Sequence, residues 1–226
     1  IEPSRGLGDV YKRQPKMLAS FVDGSKTMIE MTALSNGINL PLDKIGMNGP
    51  ISEVKDLNKK LIPEEDGGVL SSSGRVDFAF GPAPGVFSIV KSDSPTVIEE
   101  MEYLSMGEGP YYTLYRPYHL ASVEAPRSVG MAVINNEPGL QPKTWISEVV
   151  GHAKKDLEPG ENIDGIGGFC SYGVAYPVSD SKGLAPLGLL EGGTVTKSIK
   201  AGDPISLESV ELPENLINEL RKKQKN

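Results

Sequence analysis

Two nine-residue stretches decide how this chain is read: KDLEPGENI at residues 155–163 and KSIKAGDPI at residues 197–205. Both follow the pattern Lys-x-(Leu/Ile)-x-(Pro/Ala)-Gly-(Glu/Asp)-x-Ile, 42 positions apart. The pattern describes a strand end, a tight turn that needs glycine, and a second strand that starts on an inward isoleucine. Two copies predict a pseudo-symmetric, mostly-β unit. Around them the chain reads as short strands at 145–153, 169–176, 193–199 and 205–210, with a glycine cluster at 165–168. Pro213 then opens a terminal helix, with Leu216, Ile217 and Leu220 expected inward. Its last turn carries Arg221, Lys222 and Lys223, which suits the negative end of a helix. The change of texture places a domain boundary near residue 142.

Before that boundary, helix and strand signals alternate. Residues 17–22 are a short apolar run, read as a strand, and Asp23-Gly24 is a turn. Residues 25–36 read as a helix, with Asp23 or Ser25 as its cap and Asn36-Gly37 as its stop signal. A second helix covers 52–61, with Val54, Leu57 and Leu61 on one face. Residues 75–80 and 85–91 read as a hairpin around the turn at 81–84. Ser94-Pro95 opens a helix to residue 104. Residues 111–115 are an aromatic strand, and 119–134 are helical in composition, with Pro126 expected to break or restart the helix. The fold class is α+β: a mixed α/β region at 15–142, then a mostly-β unit at 143–226 with a terminal helix.

Composition narrows the function classes. The chain has 226 residues, a formal charge of −7 and a pI near 5.0. Such an acidic balance argues against a nucleic-acid scaffold. Hydrophobic residues at 38% exclude a disordered acidic tail. No apolar run approaches the ~18 residues of a membrane helix. The single Cys170 forms no internal disulfide or thiolate cluster, which suits a reducing cytoplasm. The opening needs separate treatment. Residues 4–14, SRGLGDVYKRQ, read like the translation of a sequencing-library adapter, so 1–14 are set aside from fold reasoning. Gly6-Leu7-Gly8 starts like a dinucleotide fingerprint, but no strand precedes it and no third glycine follows at the required spacing. On this reading the natural sequence enters near Pro15, and an upstream domain is expected.

Few residues carry chemistry. Lys26 and Glu30 are i,i+4 and share a helical face beside Asp23. A lysine next to carboxylates at the start of a helix can bind or protonate a substrate oxygen. The same spacing also fits a solvated pair beside a capping aspartate. The stretch YYTLYRPYH at 111–119 packs four tyrosines, Arg116 and His119 into nine residues. Arg116 can clamp an anion bidentately, and His119 titrates near neutrality. Alternation puts Tyr111, Thr113 and Tyr115 on one side of the strand and Tyr112, Leu114 and Arg116 on the other. An aromatic core strand with a hydrogen-bonded arginine is the plainer alternative. The glycines at 165–168 read as a structural turn, because no helix follows to present its N-terminus to a phosphate. Cys170 reads as a packed thiol, and His152 as an exposed strand residue. The histidine spacing supplies no metal site.

Three segments resemble one family. They are FVDGSKTMIEMTALSNG at 21–37, YYTLYRPYHLASVEAPRSV at 111–129 and EVVGHAKKDLEPGENIDGIGG at 148–168. The family is the homoserine-dehydrogenase-like oxidoreductases, including deoxyxylulose-phosphate-reductoisomerase-like enzymes. The tail GGTVTKSIKAGDPISLESVELP at 192–213 resembles a SAF domain, a β-clip fold. The resemblance implies an N-terminal Rossmann domain for NAD or NADP, then a catalytic α/β region, then the SAF-like unit. This chain matches the last two. By that resemblance Lys26 and Glu30 are catalytic residues facing the substrate, and Tyr115, Arg116 and His119 line its pocket. The expected substrate is a small anionic carbonyl or hydroxy compound, with the cofactor held mainly by the upstream domain. Alone, the chain is then expected to be inactive, with an exposed apolar or tyrosine-rich patch near 17–22 and 111–115. The expected partners are that small molecule and a second copy of the chain, not nucleic acid or membrane. The alternative is a stand-alone SAF-type module that binds a sugar acid or a protein, non-enzymatic or lyase-associated.

Overall fold

The repeated segments face each other across a local pseudo-two-fold axis. A computed structural model describes residues 15–82, 84–117 and 120–224. The stretch read as adapter-derived, and His119, lie outside the described residues. Leu157 and Ile199, equivalent in the repeat, exchange both main-chain hydrogen bonds at 2.8 and 2.9 Å. The Gly160 N–H donates to the Val195 carbonyl and the Val195 N–H to the Glu161 carbonyl, at 2.8 and 2.9 Å. Forty-two positions away, the Gly202 N–H donates to Ala153 and the Ala153 N–H to Asp203, at 2.8 and 3.0 Å. Ile163 and Ile205 donate to Gly193 and Gly151 in the same way, at 2.9 and 2.8 Å. The pattern's apolar positions, Leu157, Ile163, Ile199 and Ile205, are all buried in one core. Each such side chain contributes about 1.5–3 kcal/mol by leaving water. Gly160 and Gly202 sit at φ +92° and +89°, where any other residue is strained.

The remaining strands of this unit are antiparallel. β3 (Ser147–Ala153) pairs with β4 (Ser171–Pro177), Ser147 opposite Pro177 and Ala153 opposite Ser171. β5 (Thr194–Val195) pairs with β6 (Val210–Glu211). Two helices from the start of the chain pack here. α1 spans Pro15–Val22, where a strand was expected. Its Lys, Met, Leu and Ala favour helix, proline is tolerated at its first position, and so short an apolar run shows no decisive period. α2 spans Ser25–Ile38 and ends on Asn39 at φ 58°.

Small polar side chains on α2 join it to β3 and β4. Ser25 Oγ accepts from the Gly173 N–H at 2.8 Å, and Ser35 Oγ lies 2.7 Å from Ser147 Oγ. Asn36 Oδ1 accepts from the N–H groups of Ile146 and Ser147, and its Nδ2 donates to the Ser147 carbonyl. Asn36 thus bonds to β3 and does not end the helix. These bonds also move a boundary. The described residues of 1–46 and 143–226 form one compact unit, and Met47–Pro142 form the other. Residues 15–46 lie with the β unit, where α2 bonds to the start of β3.

The Met47–Pro142 unit contains β1 (Val86–Lys91) and β2 (Tyr111–Arg116), antiparallel, with Val86 opposite Arg116 and Lys91 opposite Tyr111. No 75–80/85–91 hairpin forms among the described residues. Phe80 instead bridges Ile51 in parallel, and α4 (Pro95–Tyr103) fills the β1–β2 connection. The expected helix at 52–61 is a 3₁₀ turn, Val54–Asp56, followed by α3, Leu57–Lys60. Leu57, Leu61 and Leu70 make the core beneath Phe87 and Ile89. α5 (Ala121–Ile134) runs unbroken through Pro126, which lies in its second turn.

The terminal helix, α6 (Leu216–Lys223), is turned opposite to expectation. Leu216, Ile217 and Leu220 are 69%, 62% and 56% exposed. The inward face is polar. Buried Asn218 donates from Nδ2 to the Pro213 carbonyl at 2.8 Å and from its N–H to the Asn215 side chain at 2.9 Å. The Arg221 guanidinium stacks 4.2 Å from the Trp145 ring centre and binds Glu148 Oε2 at 2.5 Å. Those bonds outrank the apolar stripe in setting the helix's rotation. Among the described residues no helix is long and apolar enough to cross a membrane.

Candidate functional site

The first candidate site stands at the start of α2. Asp23 Oδ1 accepts from the Ser25 N–H at 2.9 Å, and Gly24 turns the chain at φ +81°. Lys26 follows in the first turn. Its Nζ is 3.8 Å from Glu30 Oε1 and 4.2 Å from the Phe21 ring centre. Both side chains are half exposed, so the pair itself is worth only about 0.3–0.5 kcal/mol. The arrangement holds a cation over an aromatic face, with a carboxylate beside it, in contact with solvent.

Beneath it lies a pair that sequence reasoning missed. Lys154 Nζ is 2.5 Å from Asp23 Oδ2, and the two side chains are 5% and 7% exposed. Lys154 also donates to the Gly168 carbonyl at 2.7 Å. The DGSK turn at 23–26 and the DGIGG turn at 164–168 are therefore fastened together by one buried lysine. The glycine turn is structural. The Asp164 carboxylate accepts from the N–H groups of Phe169 and Cys170 at 2.6 and 3.0 Å. Burial pushes the Asp164 carboxyl up, but those two N–H donors outweigh it and hold it below the usual carboxylate range. A Cβ on Gly167 would lie 2.0 Å from the Lys16 carbonyl oxygen. His152 is buried, not exposed: its Nδ1 is 2.9 Å from the Gly202 carbonyl oxygen and its Nε2 is 2.9 Å from the Tyr176 hydroxyl. Both faces of β3 are covered from Val149 to Ala153, a burial that the following Lys154 and Lys155 disguised.

Tyr115 and Arg116 lie on β2, in the other unit, and point to opposite faces of the strand. The Tyr115 hydroxyl donates to the Pro84 carbonyl at 3.3 Å. Arg116 is exposed and paired with Glu124 of α5. His119 lies outside the described residues. Each candidate pair is thus formed within its own unit, Lys26–Glu30 in one and Tyr115–Arg116 in the other. Of the expected exposed patch, Met17, Phe21 and Val22 are exposed, while Tyr111 and Tyr112 are buried.

Tyr111 belongs to a cluster that the sequence did not single out. Its hydroxyl donates to Asp66 Oδ2 at 2.5 Å, and Lys91 Nζ is 3.4 Å from the same oxygen. The Tyr111 hydroxyl, then Lys91, holds the Asp66 carboxyl low, while its bond to Asp66 pushes the Tyr111 hydroxyl up. Asp66 and Tyr111 line an open pocket of about 880 Å³ with Lys55, Asn58, Lys59, Thr113 and the loop at 105–110. Only the glycines of SMGEGP hinted at that loop: Gly107 and Gly109 sit at φ +107° and +75°.

Residues 8–125 match the family described as oxidoreductase DRL, catalytic domain. The match starts within the stretch read as adapter-derived and ends in α5. It includes Lys26, Glu30, Tyr115 and Arg116 and stops short of the β unit. Curated proteins gave no match. With more than half of its length matched, this chain belongs to the DRL oxidoreductase family, through that family's catalytic domain.

Proposed function

We propose that the chain is the C-terminal part of an NAD- or NADP-dependent oxidoreductase acting on a small anionic carbonyl or hydroxy compound. The observation that carries the reading is Lys26, held by Glu30 and Phe21 at the solvent-facing start of α2, inside the matched segment. Lys26 donates a hydrogen bond to the substrate oxygen and stabilises the negative charge that develops there. Glu30 offers the lysine a weak ion pair at 3.8 Å that biases its position. Arg116, exposed on β2, is the candidate for holding an anionic group, exchanging Glu124 for it. A nicotinamide cofactor, if bound by another domain, would supply the hydride chemistry that Lys26 assists. The described residues do not by themselves fit that cofactor: their sheets are two-stranded and antiparallel, and no strand–glycine turn–helix forms. Its grip is assigned to a preceding domain. The pseudo-two-fold bonding of the repeat supports a SAF-like assignment for the β unit.

The test is steady-state kinetics of the complete reading frame with NADH and NADPH and a panel of phosphorylated and carboxylated aldehydes and ketones. Lys26→Met is expected to lower kcat by about 10²–10³. Arg116→Met is expected to raise KM more than it lowers kcat. A Lys26→Met enzyme turning over at the wild-type rate, or a complete protein that oxidises neither cofactor with any of these, refutes the proposal.

A further inference from the structure

We infer that the cavity between the inner side of α6 and the segment 178–189 is a binding site for a small amphiphilic acid: an apolar body, one anionic group and one N–H or O–H donor. The cavity measures about 420 Å³. That lies within the ~300–1,000 Å³ of pockets that take small molecules. All of its walls belong to the β unit, and the family match ends well before them, at residue 125. The inference therefore stands apart from the proposed reaction.

The lining selects the ligand's chemistry. Trp145, Leu184, Leu189, Leu207 and Leu212 supply an apolar wall that the chain's own side chains leave unfilled. Such a wall gains by taking an apolar body out of water. The polar side chains of the lining are Ser181, Lys182, Asn218, Arg221, Lys222 and Gln224, with no carboxylate among them. In a chain of charge −7 that is a local excess of cations. Glu148 engages Arg221, whereas Lys182 and Lys222 are exposed and form no ion pair among the described residues. An anion at this mouth meets two lysines and no competing carboxylate.

Asn218 asks for the donor. It is 4% exposed, its Nδ2 and main-chain N–H are taken up by Pro213 and Asn215, and its Oδ1 accepts no hydrogen bond. A buried acceptor left unpaired costs free energy that a donor on the ligand recovers. Lys222 lies one helical turn beyond Asn218, on the same side of α6. The ligand's donor and anionic group are accordingly separated by about one turn, ~6 Å.

The experiment titrates the 226-residue chain with anilinonaphthalene sulfonate, in the isomer that sets amine and sulfonate at opposite ends of the naphthalene. Calorimetry should give one site per chain. In ¹H–¹⁵N spectra the indole N–H of Trp145, the chain's single tryptophan, should shift in step with binding. Methylating the amine removes the donor and should weaken binding about fivefold. Lys182→Gln together with Lys222→Gln should weaken it about fivefold. Leu207→Glu, 44% exposed in the wild-type wall, should weaken it at least about tenfold with an unchanged circular dichroism spectrum. Leu220→Glu, on the outward face of α6, should leave it unchanged. No binding, a Trp145 resonance that stays still, or a methylated dye bound equally well overturns the inference. So does binding that ignores Leu207→Glu or the lysine changes, or that is lost with Leu220→Glu, which would place the dye on the outer face.

Discussion

Replacing Lys154 by methionine keeps the length of the side chain and removes its cation. Asp23 is then left 7% exposed, with its Oδ2 facing no cation, and the Gly168 carbonyl loses its donor. Breaking a buried ion pair from one side costs about 3–5 kcal/mol, because the remaining charge has neither water nor a partner. In a protein of this size each kcal/mol moves Tm by about 2–4 °C, so the expected drop is roughly 6–20 °C. The assay is urea and thermal unfolding followed by circular dichroism. Asp23→Asn should cost a similar amount, since it strands Lys154. The double variant Lys154→Met, Asp23→Leu should recover most of the loss, because neither charge is then buried. A Lys154→Met protein within about 1 kcal/mol of wild type refutes the reasoning, since a surface pair would behave that way.

Asp164 gives a pH dependence. Its carboxyl is held below the usual range in the fold, so its contribution is complete above the unfolded carboxylate pKa and is lost as pH falls through the folded one. The stability gap between wild type and Asp164→Asn should therefore close in acid, and a gap constant from neutrality into acid would contradict this. Gly167→Ala places a methyl 2.0 Å from the Lys16 carbonyl oxygen at φ +73°, and should cost more than Gly160→Ala, which meets open space. Equal losses in urea unfolding would count against the packed turn. Arg116→Met removes only an exposed pair with Glu124 and should change stability by less than about 1 kcal/mol. A larger loss by calorimetry would make Arg116 a structural residue.

Much of the β unit was legible because its repeat constrains backbone and core together: Gly160 and Gly202 fix the turns, and Leu157, Ile163, Ile199 and Ile205 fill the space between them. The helix at 25–36 was legible from its spacing and runs on to Ile38, but its N-cap is Gly24, with no side-chain cap bond, and not Asp23 or Ser25. Other elements were hidden by non-local partners. The strand at 86–91 has a Gly-Pro turn before it, a local hairpin signal, yet it pairs with 111–116 downstream. The helix at 15–22 is too short for its period to be told from a strand's. The rotation of α6 depends on Trp145 and Glu148, far away in sequence, and the apolar pattern alone points the other way. At the candidate site, Lys26 and Glu30 are visible from i,i+4 spacing, whereas Lys154 is distinguished only by its burial against Asp23. Asp66 and Lys91 were likewise silent until the fold brought them to Tyr111.

The central proposal is that this catalytic domain works with a nicotinamide cofactor held by a domain encoded upstream of the start of the matched segment. Long-read sequencing of the source DNA across that point tests it most directly. The account predicts an in-frame strand–glycine turn–helix unit of the dinucleotide-binding kind immediately upstream. A start codon at Met17, or an unrelated domain in that position, would contradict it.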